Sequence, residues 1–427
     1  MGKAASLSAI ILGCVLVLNA CGDDDGDSVS SAVTDVDPLS GCPTVSLVVT
    51  EDMEIVNTEE IECTINIEVG GGFTVDFENQ GSFTGWLNVT TYESAVFNLN
   101  NSGAIDGNLN VTGEDSAVFD MNNSGTIDAN LNITAHDSAE FNTDNSGSID
   151  GNLNFNVHGA TMHINNAFGS LLGNIHFLIE DGGVVNFLDG SSGSPAVSFL
   201  NRPANAVPSG YLGDGSVDVV NNSGQFNFDS GGYFGSTFNV TNNGTGTVHF
   251  QNNGSGSAVI NLNTYDSADT HVVNNGWYSG TLNILVQGGI ARIDNTGTFS
   301  GIGLNLTSNG ELSQIEVQND GTIGLGEGSM NSNATMTANY GGSIVFTNLS
   351  GDLVLGELSV SASGYSHGVA SSFLMLYDQN VTVSELRVNG ALQDAGFLAA
   401  GLDMTFTNPS DDSVLVVFDS AGDNPGD

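Results

Sequence analysis

The sequence predicts an all-β chain folded as a single-stranded parallel β-helix, or β-solenoid, of about 22 residues per coil and roughly 12 coils with terminal caps. Three observations carry that prediction. The first is repetition: Phe97-Asn-Leu-Asn-Asn-Ser-Gly103 returns 22 residues later as Phe119-Asp-Met-Asn-Asn-Ser-Gly125 and again as Phe141-Asn-Thr-Asp-Asn-Ser-Gly147. The second is alternation. Each copy is followed by a run, Asn108-Leu-Asn-Val-Thr112, Asn130-Leu-Asn-Ile-Thr134 or Asn152-Leu-Asn-Phe-Asn156, with an apolar residue at every second position. Successive side chains of a strand point to opposite faces, so Leu109 and Val111, and likewise Phe97 and Leu99, share an inner face and leave Asn and Thr outside. The third is punctuation by glycine, at Gly81, Gly103, Gly125, Gly147, Gly169, Gly190, Gly224, Gly254, Gly276, Gly297, Gly321 and Gly351. Asn and Gly tolerate left-handed backbone, which assigns these positions to sharp coil corners. Two short alternating runs per repeat, with no helical period, make one coil. The few apolar side chains of one coil cannot offset the ordering of its backbone, so coils must be stabilised by stacking on their neighbours.

Taken in order, residues 1–20 read as a lipoprotein signal peptide. Lys3 precedes an apolar run, Ala9 to Leu18, that is too short to span a bilayer. Leu18-Asn-Ala-Cys21 resembles the lipobox of bacterial lipoprotein signal peptides. The resemblance implies cleavage before Cys21, a diacylglycerol on its thiol and an acylated amino terminus, and so an exported protein held to a membrane by lipid. Gly22, where the enteric sorting rule places Asp in retained lipoproteins, implies the outer membrane. Asp23 to Asp25 resembles the tether signals that send some lipoproteins to the cell surface. Residues 21–36 form an acidic tether with too little apolar surface to fold. Cys42 and Cys63 stand 21 residues apart, almost one coil. Stacking would hold them about 4.8 Å apart, within disulfide reach, and an exported protein can oxidise them.

Residues 37–351 are expected to form one β-helix domain with an N-terminal cap. Its inner positions recur as Val75 and Phe77, Val248 and Phe250, Ala291 and Ile293, and Ile315 and Val317. Ser191 to Gly213 holds Pro195, Pro203 and Pro208, which cannot donate to a sheet ladder, so this stretch is expected to be a loop thrown out from the coils. Residues 352–427 read as a β-rich C-terminal cap and tail that cover an otherwise open sheet edge.

Charge narrows the function. Four basic residues, Lys3, Arg202, Arg292 and Arg387, stand against 49 acidic ones, a formal net charge of −45. Phosphate binding needs Lys and Arg, so nucleic acid and anionic membrane surfaces are poor partners, as are uronate substrates. Asp106, Asp128 and Asp150 hold one place in successive coils. Stacked carboxylates repel, and a hard divalent cation such as calcium would relieve them. The alternative is a solvated row. The histidines, His136, His158, His163, His176, His249, His271 and His367, show no metal-ligand spacing; His158 and His163 come nearest.

The candidate ligand face is the outside of the second run: Asn108, Asn110, Thr112, Asn130, Asn132, Thr134, Asn152 and Asn154. Such rows either hydrogen-bond to themselves and stiffen the sheet, or offer a flat uncharged surface to a glycan, a crystal lattice such as ice, or a protein. Tyr92 and Tyr265 lie at its edge, placed to stack on sugar rings or to fill corners. In its Asn-Ser-Gly corners and Asn-Leu-Asn-Val-Thr strands the chain resembles the passenger domains of autotransporter and haemagglutinin-type adhesins, from about Phe73 to Gly351. It departs from them in having a lipid anchor and no room for a translocator barrel. The resemblance implies a non-catalytic role in adhesion or envelope structure. A carbohydrate-active enzyme using the loop Ser191 to Gly213, and an ice-binding protein, are the alternatives.

Overall fold

A computed structural model describes residues 6–11, 14–19, 44–166, 169–189, 211–212, 215–300, 303–324, 332–366, 369–378, 381–408 and 411–420. It is an all-β parallel β-solenoid of about 13 turns at a repeat of ~22 residues, with almost no helix. The chain divides into two compact units, Met1–Ser191 with Val207–Ser216, and Ser192–Ala206 with Val217–Asp427. Each is described by itself.

In the first unit a coil has three strands where two were expected. Val96–Asn101 is followed by the two-residue strand Ala104–Ile105 and then by Leu109–Gly113. The next coil repeats them as Val118–Asn123, Thr126–Ile127 and Leu131–His136. Like stacks on like in parallel register: Phe97 aligns with Phe119 and Phe119 with Phe141, while Leu109 aligns with Leu131 and Leu131 with Leu153. All of these are buried, and the phenyl rings form a column with centroids 5.6 Å apart for Phe97 and Phe119 and 5.5 Å for Phe119 and Phe141. Ile105, Ile127 and Ile149 fill the third wall from the two-residue strands. The core is thus a set of axial ladders, and the alternation read from the sequence decides which side chains enter it.

The corners differ from expectation. Gly103, Gly125 and Gly147, after the first strand of each coil, do not take left-handed φ; a Cβ there would lie 2.0 Å from the carbonyl oxygen of the glycine one coil earlier. Glycine is needed at this corner because two backbones pass too close for any side chain. Left-handed backbone occurs at the other corner, between the third strand and the next coil, at Glu93, Ser94, Asp115, Asp137 and Asp181. Aspartate is among the residues that tolerate that conformation best.

The insertion is placed by its far end. Ser191 to Gly210 lies outside the described residues, but Tyr211–Leu212 pairs in parallel with Ser170–Leu171. Tyr211–Leu212 therefore takes the place of a two-residue strand, and the extra residues enter between it and the first strand Val184–Asp189. At the amino end, Ser6–Ile11 and Cys14–Asn19 pair antiparallel, and Ser6–Ile11 also pairs antiparallel with Met53–Asn57. Cys21, the tether and Cys42 lie outside the described residues; Cys63 is buried.

The second unit uses the same coil, as in Thr247–Asn252, Ser255–Gly256 and Val259–Tyr265. One glycine assignment is corrected here. Gly224 does not belong to the column of Gly254 and Gly276; that place is held by Gly232, whose carbonyl oxygen lies 2.1 Å from a Cβ built on Gly254. Asn221-Asn-Ser-Gly224 instead turns the opposite corner, with the Gly224 N–H donating to Asn221 Oδ1 at 2.9 Å. Parallel stacking also continues past Gly351: Ser343–Asn348 pairs with Ser372–Tyr377, and Asp352–Ser363 with Val381–Val388. A short antiparallel pair, Tyr365–Ser366 with Val369–Ala370, lies between these strands, and further antiparallel strands follow, Ala391–Gln393 on Val381–Val388 and Met404–Asn408 on Asp411–Ser420. Between them the helix Gly396–Ala399 buries Phe397 against Phe418, centroids 5.3 Å apart.

Candidate functional site

The residues expected to form a ligand face do form rows on the third strands of the first unit. Asn88 donates through Nδ2 to Asn66 Oδ1 at 2.7 Å, Asn110 to Asn88 at 2.7 Å, Asn132 to Asn110 at 2.8 Å and Asn154 to Asn132 at 2.8 Å. A second row beside it joins Asn130 to Asn108 at 3.2 Å and Asn152 to Asn130 at 3.1 Å. Thr112 and Thr134 stack in register between coils and are half-buried. The second unit has its own row, Asn261 donating to Asn239, Asn283 to Asn261 and Asn305 to Asn283, at 2.7 to 2.8 Å. Each amide inside a row spends one N–H and one lone pair on its neighbours. One N–H and one lone pair remain for water or a ligand, except at Asn130, whose Oδ1 also accepts the Asn152 backbone N–H at 3.3 Å. The rows therefore both stiffen the sheet and present a regular, uncharged array.

Asp106, Asp128 and Asp150 are exposed and follow one another at the ends of the two-residue strands. Among the described residues, no three His, Cys, Asp or Glu side chains converge in a way that could hold a metal ion. Tyr92 is a corner residue: its ring covers Gly70, where a Cβ would lie 2.1 Å from the ring, and its hydroxyl donates to Glu68 at 3.3 Å. Burial and the neighbouring Glu68 and Glu93 carboxylates hold that hydroxyl above the usual tyrosine range. Tyr265 is half-buried.

Sequence spacing also carried two histidine pairs that a search for local metal motifs passes over. His136 and His158, 22 residues apart, stack with ring centroids 5.0 Å apart, and His158 Nδ1 lies 3.3 Å from Glu180. His249 and His271, also 22 apart, have centroids 5.1 Å apart, and His271 Nε2 lies 2.7 Å from Asp294. The relevant period for these residues is the coil.

Beside the second pair, Arg292 bridges three coils. Its Nη1 donates to Asp269 Oδ1 and Oδ2 at 3.0 and 2.9 Å, and its Nε donates to Glu316 Oε2 at 3.2 Å. Without it two carboxylates would face each other unbalanced in a strongly acidic chain. All three groups are more than a third exposed, so the bridge is screened by solvent. Arg292→Ala is expected to cost about 1 kcal/mol in low salt, measured by urea denaturation, with most of that difference gone at molar salt. An equal loss at both salt concentrations would assign the effect to packing instead.

A feature missed from the sequence lies on the outer face of the first strands. There Glu78, Asn100, Asn122, Asp144 and Asn165 line a cavity of about 420 Å³ with Ser102, Ser124 and Ser146. Asp76, Asn98, Asp120 and Asn142 line a neighbouring one of about 340 Å³. Acid and amide alternate: Asn98 Nδ2 donates to Asp76 at 2.6 Å and Asn142 Nδ2 to Asp120 at 2.8 Å. Interposed amides keep carboxylates two coils apart, which limits their repulsion.

No protein-family model, no curated protein and no solved structure matches the chain.

Proposed function

We propose that the protein is a non-catalytic lipoprotein of the cell envelope, exported and anchored through Cys21, that acts in adhesion or envelope structure through the repeated polar rows of its coils. The observation that carries this reading is the row Asn66 to Asn154, whose amides are fixed head to tail at 2.7 to 2.8 Å. A side chain already locked by its neighbours loses little further freedom on contact, which lowers the cost of binding. Equal sites repeated along an axis add many weak contacts into one firm one, provided the partner repeats too. The acidity directs the choice of partner toward uncharged or cationic surfaces. If calcium takes part, Asp106, Asp128 and Asp150 are the residues for it.

The test is retention of the protein on a panel of immobilised polysaccharides, with and without calcium, together with assay of new sugar ends. Retention without new ends is expected. Release of new ends would overturn the non-catalytic reading, and calcium dependence lost in Asp128→Asn would assign the aspartate row to the metal. Absence of retention on every surface, envelope fractions included, would remove the adhesive role.

A further inference from the structure

We propose that the groove on the first-strand face of the first unit binds a neutral linear polysaccharide, one sugar unit per coil. This goes beyond the reading above, because it uses another face and names a ligand class.

The groove is periodic. Glu78, Asn100, Asn122, Asp144 and Asn165 hold one register position in five successive coils and form one wall. Ser102, Ser124 and Ser146 line the other, and the buried amides of Asn101, Asn123 and Asn145 lie beneath. Each coil thus places a polar side chain, amide or carboxylate, at the same register position, at the strand spacing of about 4.8 Å. That period selects among polymers. An extended peptide advances about 3.3 Å per residue, so its residues do not repeat at one per coil. A pyranose chain linked through opposite sides of each ring advances by about one ring, close to one coil.

Charge and hydrogen bonding narrow the ligand further. Glu78 and Asp144 lie in the groove and Asp76 and Asp120 beside it, with no Lys or Arg in either lining, so uronates and sulfated glycans are repelled. The carboxylates are met by neutral donors only: Gln80 Nε2 donates to Glu78 at 2.7 Å and Asn165 Nδ2 to Asp144 at 2.8 Å. They keep free lone pairs, which suit the hydroxyls of a sugar. The serine hydroxyls donate to carbonyls one coil back at long range, Ser102 at 3.4 Å, Ser124 at 3.3 Å and Ser146 at 3.2 Å, and are cheaply redirected. Among the described residues, Asn165 Oδ1 is buried with no hydrogen-bond partner, a cost that a ligand hydroxyl reached by a small side-chain rotation would remove. The lining holds no aromatic platform. Affinity must then come from many equal polar contacts, and so from ligand length.

The full chain is titrated with neutral oligosaccharides of β-linked glucose, mannose and xylose, two to eight units long, and with an oligouronate. Affinity for at least one neutral series is expected to rise at least tenfold from two to five units and then level off. The oligouronate should bind at least tenfold more weakly. Asn122→Leu combined with Ser124→Leu, both exposed positions, should lose at least tenfold in affinity with an unchanged melting temperature, while Leu312→Ala, an exposed position of the second unit outside both the groove and the amide rows, should bind as the parent does. No neutral series binding, no length dependence, or equal binding of the uronate would each overturn the proposal. If Asn132→Ala abolishes binding and the groove variant does not, the ligand sits on the third-strand rows: the groove assignment fails and the adhesive reading stands.

Discussion

Gly125→Ala is expected to destabilise the protein by about 3 to 4 kcal/mol, at the severe end for a single methyl group. The new Cβ would lie 2.0 Å from the carbonyl oxygen of Gly103 and 2.8 Å from the carbonyl carbon of Ser102. Both obstacles are backbone, so no rotamer change relieves the contact and the coils must part. Parting them strains the hydrogen bonds that close this corner, such as the one the Gly125 N–H donates to Asn101 O at 3.1 Å. The neighbouring corner supplies a comparison within the chain. Gly107 and Gly151 also face backbone one coil back, yet Ala129 stands between them in the same column, so that corner already accommodates a methyl group. The column of Gly81, Gly103, Gly125 and Gly147 starts above Glu59 and then holds glycine in four successive coils. Gly182→Ala is the control for conformation alone. Gly182 has φ of 78° and nothing within 4 Å of the added Cβ, so its loss should be about 1 kcal/mol. Thermal or urea unfolding of the two variants measures the difference; equal losses would refute the close-approach account.

Asn123→Ala is expected to cost about 3 kcal/mol, several times more than Asn132→Ala, although both remove one amide from a ladder. Asn123 is 2% exposed. It accepts from Asn101 at 2.8 Å and donates to Asn145 at 2.8 Å and to the carbonyl of Ser148 at 3.3 Å. Truncation removes these bonds where no solvent can replace them, and leaves Asn145 Oδ1 without the donor from Asn123. The inner ladder runs Asn57, Asn79, Asn101, Asn123, Asn145 and Asn166, each donating to the next at 2.6 to 2.8 Å. It ties coil to coil inside the corner, where the apolar core leaves the backbone carbonyls of the two-residue strands to be satisfied. Asn132 makes bonds of similar length on the outside, but water reaches its partners, so its loss should stay below about 1 kcal/mol. Comparable losses at the two positions would show that the inner ladder is not the structural one.

The repeat itself determined the coil. Because like residues recur at a fixed period, the neighbours of each side chain above and below can be read from the chain, and Phe97 over Phe119 or Asn110 over Asn132 follows from counting. Alternation determined which of them are buried, since a strand has only two faces. Carried two residues further, the same parity that buries Phe97 and Leu99 also buries Asn101; polarity alone argued against placing it inside, and the ladder that satisfies it is visible only when coils are stacked. The histidine pairs were legible for the same reason, at the coil period rather than at the spacing of a metal motif. What the tertiary structure decided is how the coil closes. The two-residue third wall is too short to show a period, and a glycine forced by a neighbouring carbonyl looks the same in sequence as one chosen for left-handed φ. Asn-Asn-Ser-Gly serves one corner at Ser102 and Gly103, whose N–H groups donate to the Asn79 carbonyl one coil back, and the opposite corner at Ser223 and Gly224, where the glycine N–H donates to the Asn221 side chain. The first-strand groove was hidden likewise: its walls come from residues 22 apart, and its depth depends on the angle at which two strands meet, which no single coil of sequence records.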